Sequence, residues 1–342
     1  MGVQEFAPGL RKAWADAGRQ GEPRLVASVM YALGPNARQS LTDAIAPYYA
    51  FAGESVRWFD GRLNPLWRRG APDSLPAMIS LARHRLTPAE TGPALRALCA
   101  WTPADSPGGG LHPGDVGWYL RFEDAAVHLW THDGTPVAAG FLDGPVLRVT
   151  AAPGADLGAI AADAEELLVP GNDWSDGLPV PGWEIEPDKP WLVLSWTPRP
   201  APSRAEPVDE AGAADWATVQ RSAFEGSTFS VERWHTMKRS PAGGMAVGVL
   251  VRTPEGEPAA NAAGWFAGVG RCGLLEPVGT HPDHRGRGYG RDAVLGACAA
   301  LVRRGASAVA VVTPAANEAA VALYRSAGFT VVRENRDWAR PA

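Results

Sequence analysis

At 342 residues the chain is too long for one ordinary domain, and 46% hydrophobic with 20% charged residues is a globular composition. A formal net charge of −5, with basic residues scattered in short pairs such as Arg68-Arg69, argues against nucleic acid as the main partner. No apolar run reaches the roughly 18 residues of a membrane span, so no membrane partner is expected.

The start, Met1-Gly2-Val3-Gln4-Glu5, has neither the basic residues nor the apolar stretch of an export signal. Cys99, Cys272 and Cys298 are far apart and odd in number, which predicts a reducing, cytoplasmic location with no disulfide framework. The seven histidines lack metal-ligand spacing; His281 and His284 have no partner ligands nearby in sequence, and no metal is expected.

In chain order, Arg24–Tyr31 reads as a strand, Gly34-Pro35-Asn36 as a turn and Ala37–Phe51 as a helix. Residues 1–52 faintly resemble the C-terminal part of luciferase-like flavin monooxygenases. A lone βα unit cannot close a barrel around a flavin, so residues 1–85 are read as an N-terminal appendage. Thr87-Pro88-Ala89-Glu90 carries a capping box with proline at the first helical position, and the helix should run to about Trp101. Thr102–Gly114 reads as a Gly/Pro-rich loop. Ala126–Thr131, Pro136–Leu142 and Val146–Thr150, joined by Asp-Gly turns, read as an antiparallel meander. A helix at Leu157–Leu168 and a strand at Trp191–Trp196 follow.

The run from Pro198 to Pro207 has four prolines in ten residues and reads as an extended, semi-rigid spacer. Beyond it, Ala211–Phe224 and Val231–Lys238 are predicted helices, the second capped by Ser230. Ala246–Arg252 and Ala259–Phe266 form a hairpin about Pro254-Glu255-Gly256, and Cys272–Thr280 is the next strand. Pro277 within that strand signals an edge or a bulge.

The strand runs into Val278-Gly279-Thr280-His281-Pro282-Asp283-His284-Arg285-Gly286-Arg287-Gly288-Tyr289-Gly290, and an apolar-faced helix, Arg291–Arg304, runs out. Strand, glycine-rich turn and helix start together make an anion site. Backbone N–H groups converge there, the helix dipole adds positive potential, and the glycines admit a bulky diphosphate. Arg285 and Arg287 add charge at the rim. Further on, Asn317 fits the N-cap of a helix, Glu318–Ala327, that ends at Gly328.

These residues resemble the GNAT superfamily of acetyl-CoA-dependent N-acetyltransferases. The family's Arg/Gln-x-x-Gly-x-Gly/Ala signature is matched by Arg285, Gly288 and Gly290, and its Asn…Tyr…Gly-Phe signature by Asn317, Tyr324, Gly328 and Phe329. The motif-bearing resemblance covers about Val208 to Arg336. It implies acetyl-CoA as acyl donor, held by Val278, Gly279, Thr280, Arg285, Gly286, Arg287, Gly288, Tyr289, Gly290 and Asn317. It also implies a bulged strand that opens a slot for the pantetheine arm, and Tyr324 as the acid that protonates the departing thiolate. Glu276 shares a face with Val278 and Thr280 by the two-residue period, which makes it the candidate base. Phe224, Trp234, His235 and Trp265 are candidate wall residues for the acceptor.

Helix, meander, helix, strand is also the GNAT order, so the middle of the chain reads as a second, divergent copy. Its corresponding loop, Ala151–Asp156, lacks the glycine signature, and an N-cap carboxylate at Asp156 would compete with phosphate. The expected fold class is therefore α/β (α+β): tandem GNAT folds, each a mixed, mostly antiparallel sheet flanked by helices. The expected division is an appendage at 1–85, a non-catalytic copy at 86–198, a linker at 199–207 and a catalytic domain at 208–342. The resemblance implies acetyl transfer to an amine of a small molecule or peptide by direct attack. Two alternatives are a mycothiol-synthase-like acetylation of a cysteinyl pseudodisaccharide and a non-catalytic acyl-CoA-binding regulatory protein.

Overall fold

The structure, a computed structural model, describes residues 81–342 apart from 107–109, 169–172, 175–182, 187 and 340–342. The described residues belong to one unit, Ile79–Ala342. The strand and helix expected at residues 24–51 lie outside them.

The first half opens with β1 (Leu81–Leu86). The Thr87–Glu90 capping box forms, but over a 3₁₀ turn, and α1 (Gly92–Trp101) restarts after it. A second helix, α2 (Pro113–Tyr119), stands where a loop is expected. The meander is β2 (Val127–His132), β3 (Thr135–Asp143) and β4 (Val146–Ala151). Then come α3 (Leu157–Ala164), β5 (Asp173–Trp174), β6 (Glu184–Ile185) and β7 (Trp191–Trp196). The second half has β8 (Glu206–Pro207), α4 (Ala213–Ala223), α5 (Val231–Arg239), β9 (Ala246–Arg252), β10 (Pro258–Trp265) and β11 (Cys272–Thr280). It closes with α6 (Tyr289–Arg303), β12 (Ala308–Pro314), α7 (Glu318–Ala327), β13 (Thr330–Asn335) and β14 (Trp338–Ala339).

Two seven-stranded sheets result, ordered β1-β2-β3-β4-β5-β14-β6 and β8-β9-β10-β11-β12-β7-β13. The orders agree place for place, and each sixth place is filled by a strand from the other half. β7 runs antiparallel to both neighbours, with Val309 opposite Trp196 on one side and Thr330 opposite Ser195 on the other. β14 pairs Trp338 with Trp174 and with Ile185. Both sheets are mixed: β4 and β5 are parallel, as are β11 and β12, and the remaining pairs are antiparallel.

The sheets therefore depart from the expected division. β1 belongs to the first sheet although it falls largely within the 1–85 appendage. β7 leaves the 86–198 segment for the second sheet, and β14 leaves the 208–342 segment for the first. Register and burial drive this. Val193 and Leu194 are buried on successive, opposite faces of β7, so the strand needs cover on both sides and finds it in the second sheet, between β12 and β13.

The 198–207 run is also more than a spacer. Arg199 donates to the carbonyls of Ala327 (3.2 Å) and Gly328 (2.7 Å), and Ser203 Oγ donates to Asp292 O (2.7 Å). The Arg204 guanidinium pairs with Asp292, and Ala205 lies so close to Gly296 that a Cβ there would sit 2.4 Å from it. The extended chain is strapped along α6.

The halves share a core. Leu95, Leu98, Val116 and Phe141 from the first join Trp216, Phe229, Trp234 and Trp265 from the second in one cluster. Trp265 fits a notch in α2: a Cβ at Gly114 would come within 2.5 Å of its side chain and one at Gly117 within 2.3 Å. Glycine is required there by close approach, at the cost of helix propensity.

Candidate functional site

β11 positions the chemistry. Its parallel pairing with β12 covers only Cys272, Gly273 and Leu274, after which the two strands part. On its other side it pairs with β10 with a bulge: Leu275 and Val278, three apart, face Gly264 and Ala262, two apart. Glu276 and Pro277 occupy the bulge. A one-residue insertion breaks the two-residue period, so Glu276 does not share a face with Val278 and Thr280 as the unbroken pattern predicts. The extra residue turns Glu276 separately while Val278–Thr280 remain paired to Ala262–Ala260 along one edge.

Beyond the strand, a 3₁₀ turn at Pro282–His284 leads to the glycine loop. Gly286 and Gly288 have φ of +75° and +84°, with open space where a Cβ would stand. Gly288 is the N-cap of α6 and brings no side-chain cap, whereas Ser230, Asp156 and Asn317 cap α5, α3 and α7 with side-chain oxygens. The first N–H groups of α6 are left for an external acceptor. Gly290 faces Thr280, whose Oγ1 would lie 2.5 Å from a Cβ.

Arg285 is exposed yet anchored, donating to Ala223 O (3.2 Å) and Thr280 O (3.4 Å). Arg287 is exposed with no partner among the described residues. The Tyr289 ring is buried beneath the Arg204 guanidinium, so this residue offers the loop only its main chain. Asn317 spends its Oδ1 on Ala320 N (3.1 Å), which leaves its amide nitrogen. Tyr324 is buried on α7; burial, then the Glu276 charge, push its hydroxyl well above the usual phenol range.

Glu276 is enclosed by groups from the first half that sequence reasoning did not single out. Its carboxyl is pushed up to about 8, first by burial and then by Asp115, with Arg148 and Arg121 pulling the other way. Asp115 and Arg148 form a 2.5 Å ion pair, and Asp115 also accepts from His112 N at 2.6 Å. His112 caps α2: its Nδ1 accepts from Gly114 N (2.9 Å), so Nε2 carries the proton and donates to Cys272 O on β11 (3.0 Å). Burial drives its pKa down to about 4, keeping the ring neutral. Trp265 Nε1 donates to the Glu276 carbonyl at 2.6 Å and holds the bulge directly. The signal for α2 was legible as His112-Pro113 followed by Asp115 at the third helical position, but two glycines obscured it.

A pocket of about 210 Å³ opens beside Glu276 and is bounded by Asp115, Arg148, Trp191, Val312 and Asn335 among others. Phe224, Trp234, His235 and Trp265 are not in its wall. Trp234 and Trp265 are core, His235 lies 2.7 Å from Glu210, and Phe224 is exposed.

Residues 213–329 match the family model described as the acetyltransferase (GNAT) family. The chain carries a GNAT domain. Among solved structures, a tandem GNAT protein from the clavulanic acid biosynthesis pathway is 16% identical, over 76% of this chain and 98% of its own, with a TM-score of 0.47. A GCN5-related N-acetyltransferase from Sphaerobacter thermophilus is 19% identical over 78% and 96%, at 0.42. A GNAT-family acetyltransferase from Colwellia psychrerythraea is 13% identical over 75% and 98%, at 0.45. None of the curated proteins compared with the chain matches it. The luciferase-like resemblance of residues 1–52 finds no support in these matches. No helix among the described residues is long and apolar enough to cross a membrane.

Proposed function

We propose that the protein transfers an acetyl group from acetyl-CoA to the amine of a small molecule or peptide, with the second half catalytic and the first half, though built on the same strand order, not. The observation that carries this is the uncapped start of α6 at Gly288, set beside the gap where β11 leaves β12 and next to the bulge that holds Glu276. The residues fit the donor. Loop N–H groups from Gly286 to Gly290 and the free Arg287 would hold a diphosphate, and the unpaired edge of Val278–Thr280 would hold the pantetheine arm as an added strand. When bound, acetyl-CoA supplies an acetyl thioester.

This chain's residues then manage two protons. The acceptor nitrogen must be neutral to form its new bond to the acetyl carbon, and Glu276 takes its proton. Cleavage of the carbon–sulfur bond leaves a thiolate, and Tyr324, which burial keeps protonated through the neutral range, gives it a proton. A backbone N–H at the bulge can polarise the thioester carbonyl. The three described cysteines are free, which fits a reducing cytoplasm.

Calorimetric titration with acetyl-CoA tests the reading. One site per chain, lost in Gly288→Glu, supports it. Two sites would show that the first half retains a donor site, and no binding would sink the assignment. Tyr324→Phe separates catalysis from mere binding, since it should leave the titration intact and slow turnover.

A further inference from the structure

Glu276 shares its pocket with an ion pair supplied by the first half. Arg148 comes from β4, opposite Phe141 in register, and its guanidinium lies 5.7 Å from the centre of that ring. It reaches Asp115 at 2.5 Å and Asp143 at 3.5 Å. Asp115 stands in the first turn of α2 and is buried; its second carboxylate oxygen accepts from His112 N at 2.6 Å. Both of its oxygens are therefore fixed. Asp115, Arg148 and Glu276 all line the cavity of about 210 Å³.

The guanidinium is thus spent on carboxylates of the first half, while Glu276 Oε2, in the same cavity, is shielded from solvent and accepts no hydrogen bond. The difference matters for a base. A carboxylate in contact with a guanidinium holds a proton weakly, whereas a buried carboxylate kept apart from one holds it well. The other charged groups around Glu276 do not take the place of Arg148. Arg121 donates to Trp118 O at 2.6 Å and stacks on the Trp118 and Phe122 rings, each 4.2 Å from its guanidinium carbon. Tyr324 on α7 is kept protonated by burial and then by the Glu276 charge. Asp337, also in the cavity wall, has a partner of its own.

We propose that Asp115 and Arg148 are positioning residues for Glu276: by engaging the guanidinium, Asp115 withholds it from the Glu276 carboxylate, which stays free to take the proton of the acceptor amine. The proton's source rests on the acetyltransferase reading; the control of Glu276 rests on the cavity alone. After burial, Asp115 is the strongest influence raising the Glu276 pKa and Arg148 the strongest lowering it, in agreement with this geometry. The first half, without a donor site of its own, thereby sets the pH range in which the second half works.

Two readouts test this. In protein labelled with ¹³C at the glutamate side-chain carboxyls, the signal lost in Glu276→Gln reports the titration of that residue directly. The pH profile of kcat/KM reports it in the working enzyme. The unsubstituted protein should show a midpoint near 8 in both. Asp115→Asn keeps an oxygen for His112 N but releases Arg148, and should lower the midpoint by about one unit or more. Arg148→Met keeps the stem of the side chain without its charge and should raise the midpoint, while Arg148→Lys should bring it back towards the unsubstituted value. Asp143→Asn, at the longer and more exposed contact, should move it least. If Arg148→Met does not fold, adding it to Asp115→Asn leaves no unpaired charge at the pair, and the double variant should titrate above Asp115→Asn alone. Midpoints that stay put, or that move the same way in Asp115→Asn and Arg148→Met, would overturn the proposal, since a merely structural pair would lower stability and kcat without opposite shifts. Opposite carboxyl shifts with no amine acetylated would overturn acetyl transfer and leave the control of Glu276 standing. Turnover with unmoved midpoints would do the reverse.

Discussion

The two halves each place a turn and a helix after their fourth strand, and the two helix starts differ in one chemical respect. After β4, Gly154 has a φ of +81° and Asp156 caps α3, its Oδ1 accepting from Ala159 N at 3.1 Å. After β11, Gly286 and Gly288 have φ of +75° and +84°, and α6 starts without a side-chain cap. The backbone plan is common to both. In the first half a carboxylate fills the helix donors and repels anions; in the second the donors are left open. α3 then runs for 8 residues and α6 for 15, so the open terminus also heads the longer, better-buried helix. A ligand site can be lost by filling a hydrogen-bonding vacancy while the fold around it persists.

Paired substitutions break the comparison most sharply. Gly288→Glu should weaken acetyl-CoA binding by at least about 100-fold, because it adds a carboxylate to a helix start and a side chain to a left-handed residue. Gly154→Glu, with comparable backbone, should leave the titration unchanged; an equal loss in both would mean that the first half also holds the donor. Next in size, Glu276→Gln should lower kcat by about 10²- to 10⁴-fold. In the unsubstituted protein Glu276 is a base only when ionised, so kcat/KM should climb with pH through about 8. A pH–rate profile lacking that rise would remove Glu276 from its role.

The remaining effects ask what the first half contributes besides a ligand site. His112 has a folded pKa of about 4 against an ordinary 6.5. Depressed in this way, its contribution is present above about pH 6.5 and lost as pH falls towards 4. The loss is on the order of 3 kcal/mol. Denaturant melts across that window should show His112→Asn with a shallower acid slope. Smallest, Gly117→Val should cost about 1–3 kcal/mol by driving a side chain into Trp265, read as a lower Tm. Turnover should fall with it, because Trp265 also holds the Glu276 carbonyl.

What could be read from the sequence was local. The glycine loop, the Asn317 cap, Gly328 and the β9–β10 hairpin depend on residues within a few positions of one another, and Pro277 announced the bulge of β11. The partners of a strand are not written locally. Nothing near Trp191–Trp196 says that it pairs with β12 and β13, and the two residues of β14 carry no pattern at all. The same blindness hid Asp115 and Arg148. Asp115 reaches the pocket of Glu276 because Gly114 and Gly117 let α2 settle on Trp265, more than 140 positions away, and Arg148 arrives there on β4. The period-two reading of Glu276 failed for a related reason, since the bulge shifts the count within the strand that it marks.

The strand exchange also fixes how this chain would respond to being cut. A protease acting between Pro198 and Pro207 would break one peptide bond, yet each fragment would still carry the sixth strand of the other's sheet. The nicked protein should behave as a tight heterodimer of unequal pieces. Separately expressed fragments would each be short of a strand until they met, so complementation would be the only route by which either piece regained a closed sheet.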